Sequence, residues 1–358
     1  MSMRSTETTM RLPCRPPQCS HKLGSLKRLE MSQVQALSGE TEIGPRIRGL
    51  FFFRCFVCRI DTNVRLCYNI SKKGGATMYK QKIGISIGGK SDILIPETLQ
   101  IIKNVGFDAI SPVWQSYSEL KEIVKFADEL GLELQSLHAP FGKVADLWNC
   151  DENISGPVKK ELFASIDACA EFHIPIAVVH VWIGFNYQFD EDDLYYNNFD
   201  EIVRYAEERN VKIAFENTEG IEYLFALMAR FENNNTVGFC WDSGHEMCYN
   251  YSEDLLGKFG DRLMMTHLND NLGISRFDGE IYWTDDLHLL PFDGIADWDH
   301  NVQRLKMAQR LPILNFELSA CSKPNRHEND VYAQMTQVQY YTEAYKRACR
   351  IAYRYSKG

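Results

Sequence analysis

The chain has 358 residues, of which 24% are charged and 45% are hydrophobic, and its formal net charge is −9 at pH 7. These fractions are ordinary for a globular protein, and the length accommodates one large domain or two smaller ones. No apolar run approaches the roughly 20 residues that a membrane-spanning helix needs. We therefore expect no membrane span.

Residues 1–77 differ from the rest of the chain in charge. They carry 13 Lys and Arg against 5 Asp and Glu, a net charge of +8, whereas residues 78–358 carry 26 against 43, a net charge of −17. Cys55 and Cys58 have the spacing of a zinc knuckle, but no second Cys or His pair follows at a useful distance. We expect residues 1–77 to be a poorly packed extension without chemistry. We further predict a mis-assigned start, with Met78 as the true first residue.

From residue 78 onward, short apolar runs alternate with amphipathic stretches. The first pair is a strand over 83–87 and a helix over 95–105. The second pair is a strand over 107–113 and a helix over 119–130. Six more strands are predicted to end at His138, His180, Glu216, Asp242, His267 and Glu317. The remaining helices are predicted over 159–172, 199–209, 221–231, 254–259, 298–309 and 331–355.

Eight strand–helix units of roughly 25–45 residues predict one (β/α)8 TIM barrel over residues 78–358. The main alternative is a doubly wound open sheet, which would carry a Gly-rich phosphate turn after the first strand. Residues 87–90 (Ile-Gly-Gly-Lys) lack the G-x-G-x-x-G spacing of that turn. In a barrel the carboxyl ends of all strands converge on one face. The last six strand-end side chains are therefore predicted to form one site.

The chemistry of these strand-end residues predicts a divalent metal ion. Carboxylates are rarely buried without a partner, and three of them brought together without a cation would raise one another's pKa values. A set of three carboxylates and one imidazole suits Mn²⁺, Mg²⁺, Co²⁺ or Zn²⁺. Pairing with buried Arg is the alternative, but Lys and Arg are absent from the strand ends. The predicted metal ligands are Glu216, Asp242, His267 and Glu317.

Asp242 and His245 lie three residues apart, where a buried strand is expected to open into a loop. The spacing suits a metal or a substrate hydroxyl; the alternative is a helix-capping Asp beside a surface His. Cys240, two residues before Asp242, is expected to face the barrel interior one layer deeper.

The loops that follow the strands are rich in aromatic residues rather than Arg. Aromatic rings could stack on nucleobases, but nucleic-acid binding depends on Lys and Arg contacts to phosphate, and residues 78–358 are strongly acidic. We expect no nucleic-acid partner and interpret the aromatic residues as a wall that contacts a sugar. They are Trp114, Phe141, Trp148, Trp182, Phe185 and Trp283.

Five phrases in order carry a family resemblance. They are Leu-His-Ala-Pro at 137–140, Phe-Glu-Asn at 215–217, Trp-Asp-Ser-Gly-His at 241–245, His-Leu-Asn-Asp-Asn at 267–271 and Asp-Leu-His-Leu-Leu-Pro at 286–291. With these phrases the chain resembles the xylose isomerase-like barrel superfamily. Within it, the chain is most similar to sugar phosphate isomerases and epimerases, including ketose 3-epimerases. The resemblance covers residues 81 to about 320.

The resemblance implies a metal-dependent isomerase or epimerase acting on an open-chain sugar or sugar phosphate. One divalent metal would be held by the four predicted ligands and would stabilise an enediolate. One of Glu216 and Glu317 would abstract a carbon-bound proton, and the other would return a proton on the opposite face. The substrate would be contacted by His245, His138, His180, Trp114, Trp182 and His288.

A second branch of the same superfamily, the abasic-site endonucleases with three zinc ions, uses more ligands on this barrel. The chain has matching residue types, but its acidic charge argues against DNA as a substrate. The third hypothesis is a non-catalytic sugar-binding barrel, which two opposed ionised glutamates disfavour. The residues that match the endonuclease set are His138, His180, Glu216, Asp242, His245, His267, Asp286, His288 and Glu317.

Residues 273–285 resemble an insertion, interpreted as a lid or a contact with another subunit. Asp286 and His288 beside it could bind an additional metal or form ordinary loop hydrogen bonds. Arg276 is the candidate for an arginine that some epimerases place near the substrate. The Tyr-rich C-terminal helix is expected to close the barrel or join subunits of a homo-oligomer. The six cysteines of residues 78–358 show no disulfide framework, which favours a reducing cytoplasm.

Overall fold

The computed structural model describes residues 81–87, 95–185 and 187–357. The predictions for residues 1–77, including the zinc-knuckle spacing and a start at Met78, lie outside these ranges. Among the described helices, none is long and apolar enough to cross a membrane. Cys169, Cys240 and Cys248 are buried free thiols.

The described strands are all parallel, as a (β/α)8 barrel requires. The third barrel strand is interrupted and is numbered as two short strands. In chain order the strands are β1 (Lys82–Ile87), β2 (Ala109–Pro112), β3 (Glu133–Leu134), β4 (Leu137–His138), β5 (Ile176–His180), β6 (Lys212–Glu216), β7 (Val237–Asp242), β8 (Leu263–His267) and β9 (Ile313–Phe316).

Two sheets make up the barrel wall, with strand orders β3-β2-β1-β9 and β4-β5-β6-β7-β8. Single parallel bridges join them at both seams. Val113 pairs with His138 at one seam, and Leu268 pairs with Phe316 at the other. The wall is therefore continuous, and the predicted fold class is confirmed.

Helices follow the strands in the alternation that the sequence predicts. They are α1 (Ile95–Val105), α2 (Tyr117–Leu130), α3 (Glu152–Glu171), α4 (Asn197–Glu207), α5 (Ile221–Arg230), α6 (Ser243–Cys248), α7 (Leu255–Phe259), α8 (Trp298–Met307), α9 (Asp330–Ala333) and α10 (Gln337–Ser356).

Two predicted helices differ from the observed ones because of their capping residues. The helix predicted from 159 begins at Glu152, since the Asp151 side chain accepts a hydrogen bond from the Asn153 N–H, and Pro157 lies inside it. The helix predicted over 331–355 is two helices. Thr336 starts the second with a capping box, in which it and Gln339 each bond the other's backbone N–H.

Strand alternation divides the core into two parts. Outward-facing side chains pack against the helices in one large cluster that includes Leu224, Phe239 and Trp241. Inward-facing side chains fill the barrel interior in a small cluster of Val178, Ala214, Cys240 and Met265. Each of these four lies two residues before a strand-end residue and therefore one layer deeper in the barrel, on the same side of the strand.

Candidate functional site

Strand register brings the predicted strand-end residues together. His180 is paired with Glu216 across β5 and β6, and Asp242 is paired with His267 across β7 and β8. Their side chains face the interior because each lies two residues beyond an interior residue. Glu317 directly follows β9, beside His267. The barrel thus converts residues far apart in sequence into one cluster.

Glu216, Asp242, His267 and Glu317 each offer one ligand atom, and these atoms lie within 4.8 Å of one another. His267 Nδ1 is central to the group, 2.8 Å from both Glu216 Oε1 and Glu317 Oε2. Glu216, Asp242 and His267 are almost completely buried, whereas the Glu317 side chain is 22% exposed. Three carboxylate oxygens and one imidazole nitrogen at this spacing are a fitting donor set for a divalent cation.

Asp242 is oriented by bonds to two neighbouring segments. Its Oδ1 accepts the N–H groups of Gly244 (2.8 Å) and His245 (2.7 Å), so it caps α6. The Asn269 amide donates to both Asp242 oxygens, at 3.1 and 2.9 Å. The predicted loop after Asp242 is therefore wrong, because this cap starts a helix. The alternative of a surface histidine is also wrong, since His245 is buried.

His138 and His180 form a second group with Glu216. Their Nε2 atoms lie 3.1 Å apart, and they are 3.4 and 3.3 Å from Glu216 Oε2. Glu216 Oε2 is buried and has no hydrogen-bond partner among the described residues. A buried carboxylate oxygen normally has a partner, and a cation between the three side chains would satisfy it. The residues present therefore fit a metal ion here as well.

His245, Asp286 and His288 form a third group. Asp286 Oδ1 lies 2.9 Å from His288 Nε2 and 3.4 Å from His245 Nε2. Its other oxygen, Oδ2, accepts a hydrogen bond from Lys323 Nζ at 3.0 Å. Lys323 enters from the loop after β9, so the sequence-based observation that Lys and Arg are absent from the strand ends did not anticipate this cation.

Charge in the first group is balanced between carboxylates and imidazoles. Burial would raise the pKa of Glu216, but the facing imidazoles of His267 and His180 hold that pKa well below its ordinary range. Burial also opposes ionisation of Glu317, yet His267 and His288 bring its pKa to about 2. The pKa of His267 is raised well above its ordinary value, because Cys240, Glu216 and Glu317 outweigh its burial. A bound cation would take over this balancing charge from the imidazole proton.

In the third group, the pKa of Asp286 is likewise set by burial on one side and by neighbouring side chains on the other. Its burial is outweighed by His288, Lys323 and His245, which hold its pKa well below the ordinary range. The pKa of His288 rises to about 9, since Asp286 overcomes the effect of burial. This group is a cluster in which one carboxylate faces Lys323 and two imidazoles.

Of the aromatic residues named from the sequence, Phe141 lies beside the histidines. Phe141 stacks on His180 with ring centres 4.8 Å apart. Trp182 stacks on Tyr223 at 4.2 Å, and its indole N–H donates to the Gly184 carbonyl. Trp114 packs against the core, and its backbone N–H donates to the His138 carbonyl. The Phe141 ring is thus placed beside the candidate ligands, and Trp182 belongs to an aromatic stack.

Glu219 is a buried carboxyl group in the loop after β6 that sequence analysis did not identify. Its Oε1 accepts the Gly184 N–H at 3.0 Å, and its burial raises its pKa despite this bond. His245 and Asp286 both act electrostatically on it. No strand period marks this position, so only the fold reveals its place near the third group.

The predicted insertion over residues 273–285 is largely exposed. Phe277 is 92% exposed, and Arg276 stacks over the Tyr282 ring at 4.2 Å. At its end, the fully buried Asp285 pairs with Arg326 at 2.8 Å and accepts the Ser275 N–H at 2.9 Å. Arg276 therefore serves the loop itself in this structure, and the insertion is anchored through Asp285.

A model of the family described as xylose isomerase-like TIM barrel matches residues 99–334. The chain belongs to this family. The uncharacterized protein y4fM of Sinorhizobium fredii is 29% identical over 260 residues, which make up 62% of this chain and 80% of that protein.

Solved structures show the same fold at low identity. The IOLI protein with a binding zinc atom has a TM-score of 0.60 at 17% identity, covering 76% of this chain and 99% of that one. L-ribulose 3-epimerase has a TM-score of 0.55 at 14% identity, covering 76% and 96%. The chain spans only 41% of a xylose isomerase-like TIM barrel/4-hydroxyphenylpyruvate dioxygenase fusion protein, which covers 71% of this chain at 16% identity and a TM-score of 0.52.

Proposed function

We propose that this chain is a divalent-metal-dependent isomerase or epimerase of a sugar or sugar phosphate, acting by proton transfer through an enediolate. The observation that carries the proposal is the placement of Glu216 and Glu317 on the same His267 nitrogen, each at 2.8 Å. Two carboxylates at one candidate metal site can remove a proton from one face of a substrate carbon and return a proton to the other face. The family and the similar epimerase structure support the same class of reaction.

The residues that would hold the ion are Glu216, Asp242, His267 and Glu317, whose ligand atoms cluster within 4.8 Å. When bound, the ion would polarise the ketose carbonyl and so acidify the neighbouring C–H bond.

The two glutamates differ in access, and this difference suggests how they divide the proton transfer. Glu216 is fully buried among four histidines, whereas Glu317 is 22% exposed and has His267 as its close ion-pair partner among the described residues. Glu317 is therefore the carboxylate with the freer approach to a substrate, and Glu216 acts from the buried side. A positioned general base typically contributes about 10²–10⁴-fold to the rate.

Histidines above the ligand group would hold the substrate oxygens. His245 Nδ1 is fixed by the Asn217 carbonyl at 2.9 Å, and this leaves Nε2 directed at the third group. His288 Nδ1 lies 3.2 Å from the Glu317 carbonyl, and its Nε2 likewise faces Asp286. His288 Nε2 is paired with Asp286 at 2.9 Å, so His245 Nε2, 3.4 Å from the same oxygen, is the nitrogen better placed to contact a sugar hydroxyl.

The test combines metal content with proton exchange. The full-length protein is loaded with each candidate ion, and ketoses and ketose phosphates are screened for deuterium uptake from ²H₂O at the carbon next to the carbonyl. We expect uptake with the wild type and a loss of about 10²–10⁴-fold in Glu317→Gln. Glu122→Gln, which changes an exposed glutamate of α2, is the control and should exchange like the wild type.

Three outcomes would overturn the proposal. Absence of bound metal under every loading condition would remove its chemistry. Metal binding and sugar binding without deuterium uptake would indicate a non-catalytic sugar-binding barrel. Two or three zinc ions per chain together with cleavage of abasic DNA would indicate the phosphodiesterase instead.

A further inference from the structure

The third group of candidate ligands differs from the other two in the cation that it already contains. Lys323 Nζ lies 3.0 Å from Asp286 Oδ2. By contrast, the described ion pairs of Glu216, Asp242 and Glu317 all involve histidines. Asp286 is thus the one candidate ligand in the described site with a permanent positive charge on one of its oxygens.

Lys323 is held in place by the loop that carries it. Arg326 donates to the buried Asp285 carboxylate at 2.8 Å and to the Thr284 carbonyl at 3.3 Å. Asn329 donates to the Leu287 carbonyl at 3.2 Å. These bonds attach the loop after β9 to the loop after β8 on both sides of Asp286. The lysine is accordingly built into the site, and its side chain is only 25% exposed.

We propose that Lys323 neutralises Asp286 and thereby excludes a divalent cation from the His245–Asp286–His288 group. It does so from Oδ2, while Oδ1, which faces the two imidazoles, is buried without a hydrogen-bond partner among the described residues. The physical reason is charge. An ammonium ion on one carboxylate oxygen neutralises the only anionic ligand of the group, and it repels a divalent ion that would bind the other oxygen a few ångströms away. Affinity of an oxygen site for divalent ions depends strongly on the number of its charged ligands.

This arrangement leaves the Lys323 ammonium group to contact substrate, a consequence that rests on the proposed function. The nearby imidazoles face Asp286, with Oδ1 lying 3.4 Å from His245 Nε2 and 2.9 Å from His288 Nε2. Lys323 has one hydrogen-bond acceptor among the described residues, Asp286, although an ammonium group has three N–H donors. The group therefore offers hydrogen bonds to an oxygen-rich part of the substrate, such as the hydroxyl groups of a sugar. Metal binding would be confined to the ligands at the strand ends.

The test is a count of bound zinc in the full-length protein. Wild type and variants are loaded with excess Zn²⁺, freed of unbound ion by gel filtration and analysed for zinc per chain. We expect Lys323→Met to bind one more ion than the wild type, while Lys323→Arg keeps the wild-type count. Lys346→Met, which removes an exposed lysine of α10, is the matched control and should also keep it.

The position of the additional ion is checked with a double variant. Adding Asp286→Asn to Lys323→Met should return the zinc count to that of the wild type, and Lys323→Gln serves as a second neutral variant should the methionine protein fold poorly. Equal counts in the wild type and both neutral variants would overturn the inference, as would an additional ion that persists in the double variant. Counting bound zinc requires no sugar turnover. The result therefore tests the role of Lys323 even if the proposed isomerase reaction is not found.

Discussion

The candidate site is built from two regions with different physical origins. Its floor consists of the six side chains at strand ends, which parallel register and alternation hold in fixed positions. Its rim consists of the loops over 268–297 and 317–329, which supply Asp286, His288 and Lys323. The floor is positioned by the barrel backbone, whereas the rim is positioned by side-chain pairs such as Asp285–Arg326. This difference predicts that changes in the floor act on chemistry and changes in the rim act on local stability and selectivity.

The largest effect is expected in the floor, from Asp242→Asn. Asparagine still caps a helix, so α6 should remain, but the group loses one of its three anionic ligands. We expect metal affinity to fall by more than about 100-fold, the upper end of what loss of an outer-shell partner costs. Isothermal titration calorimetry with the metal ion measures this affinity.

Asp254→Asn is the matched control for that change, because Asp254 caps α7 through the Gly257 N–H and belongs to none of the metal-ligand groups. Its metal affinity should equal that of the wild type. Unchanged affinity in Asp242→Asn would mean that the floor does not hold the ion.

The next largest effect is expected in the rim, from Arg326→Met. This change leaves the fully buried Asp285 carboxylate without its cation, and removal of one partner of a buried ion pair costs about 3 kcal/mol. We expect hydrogen exchange to accelerate in the loops over 268–297 and 317–329, while the strands stay protected. If hydrogen exchange accelerated equally in β6 and β7, the rim and the floor would unfold together. That result would contradict the conclusion that the two regions are positioned by different interactions.

A smaller, pH-dependent effect is expected for Glu219→Gln. Burial raises the pKa of Glu219 above its ordinary value of 4.5, so the folded state binds this proton more tightly than the unfolded state does. Ionisation of the buried group therefore costs stability as the pH rises through the folded pKa. The melting temperature of the variant relative to wild type should be constant below pH 4.5 and should increase above it. A difference that shrinks with rising pH would contradict this assignment.

The smallest effect is expected for Phe277→Ala in the insertion. The ring is 92% exposed, and substitutions at such surface positions usually change the free energy of unfolding by less than about 0.5 kcal/mol. Thermal unfolding should match the wild type. If the variant instead alters the mass measured by light scattering, or the Michaelis constant for a substrate, the insertion is a subunit contact or a lid, respectively.

The sequence alone determined the barrel and the residues of its floor. Alternating strand and helix patterns specified the fold class, and three carboxylates and one histidine stood at predictable strand ends, namely Glu216, Asp242, His267 and Glu317. A period of two fixes which way a strand side chain faces, and a parallel barrel brings every strand end to one face. For these residues, the local sequence pattern is therefore enough to predict their position in the barrel.

Only the tertiary structure showed which side chains contact one another in the rim. Lys323 meets Asp286 across 37 residues, and Arg326 meets Asp285 across 41. Asn269 and Glu219 likewise gain their places near Asp242 and His245 from loop conformation. A loop has no repeat that fixes the direction of a side chain, so its contacts depend on long-range pairing that emerges once the barrel has closed.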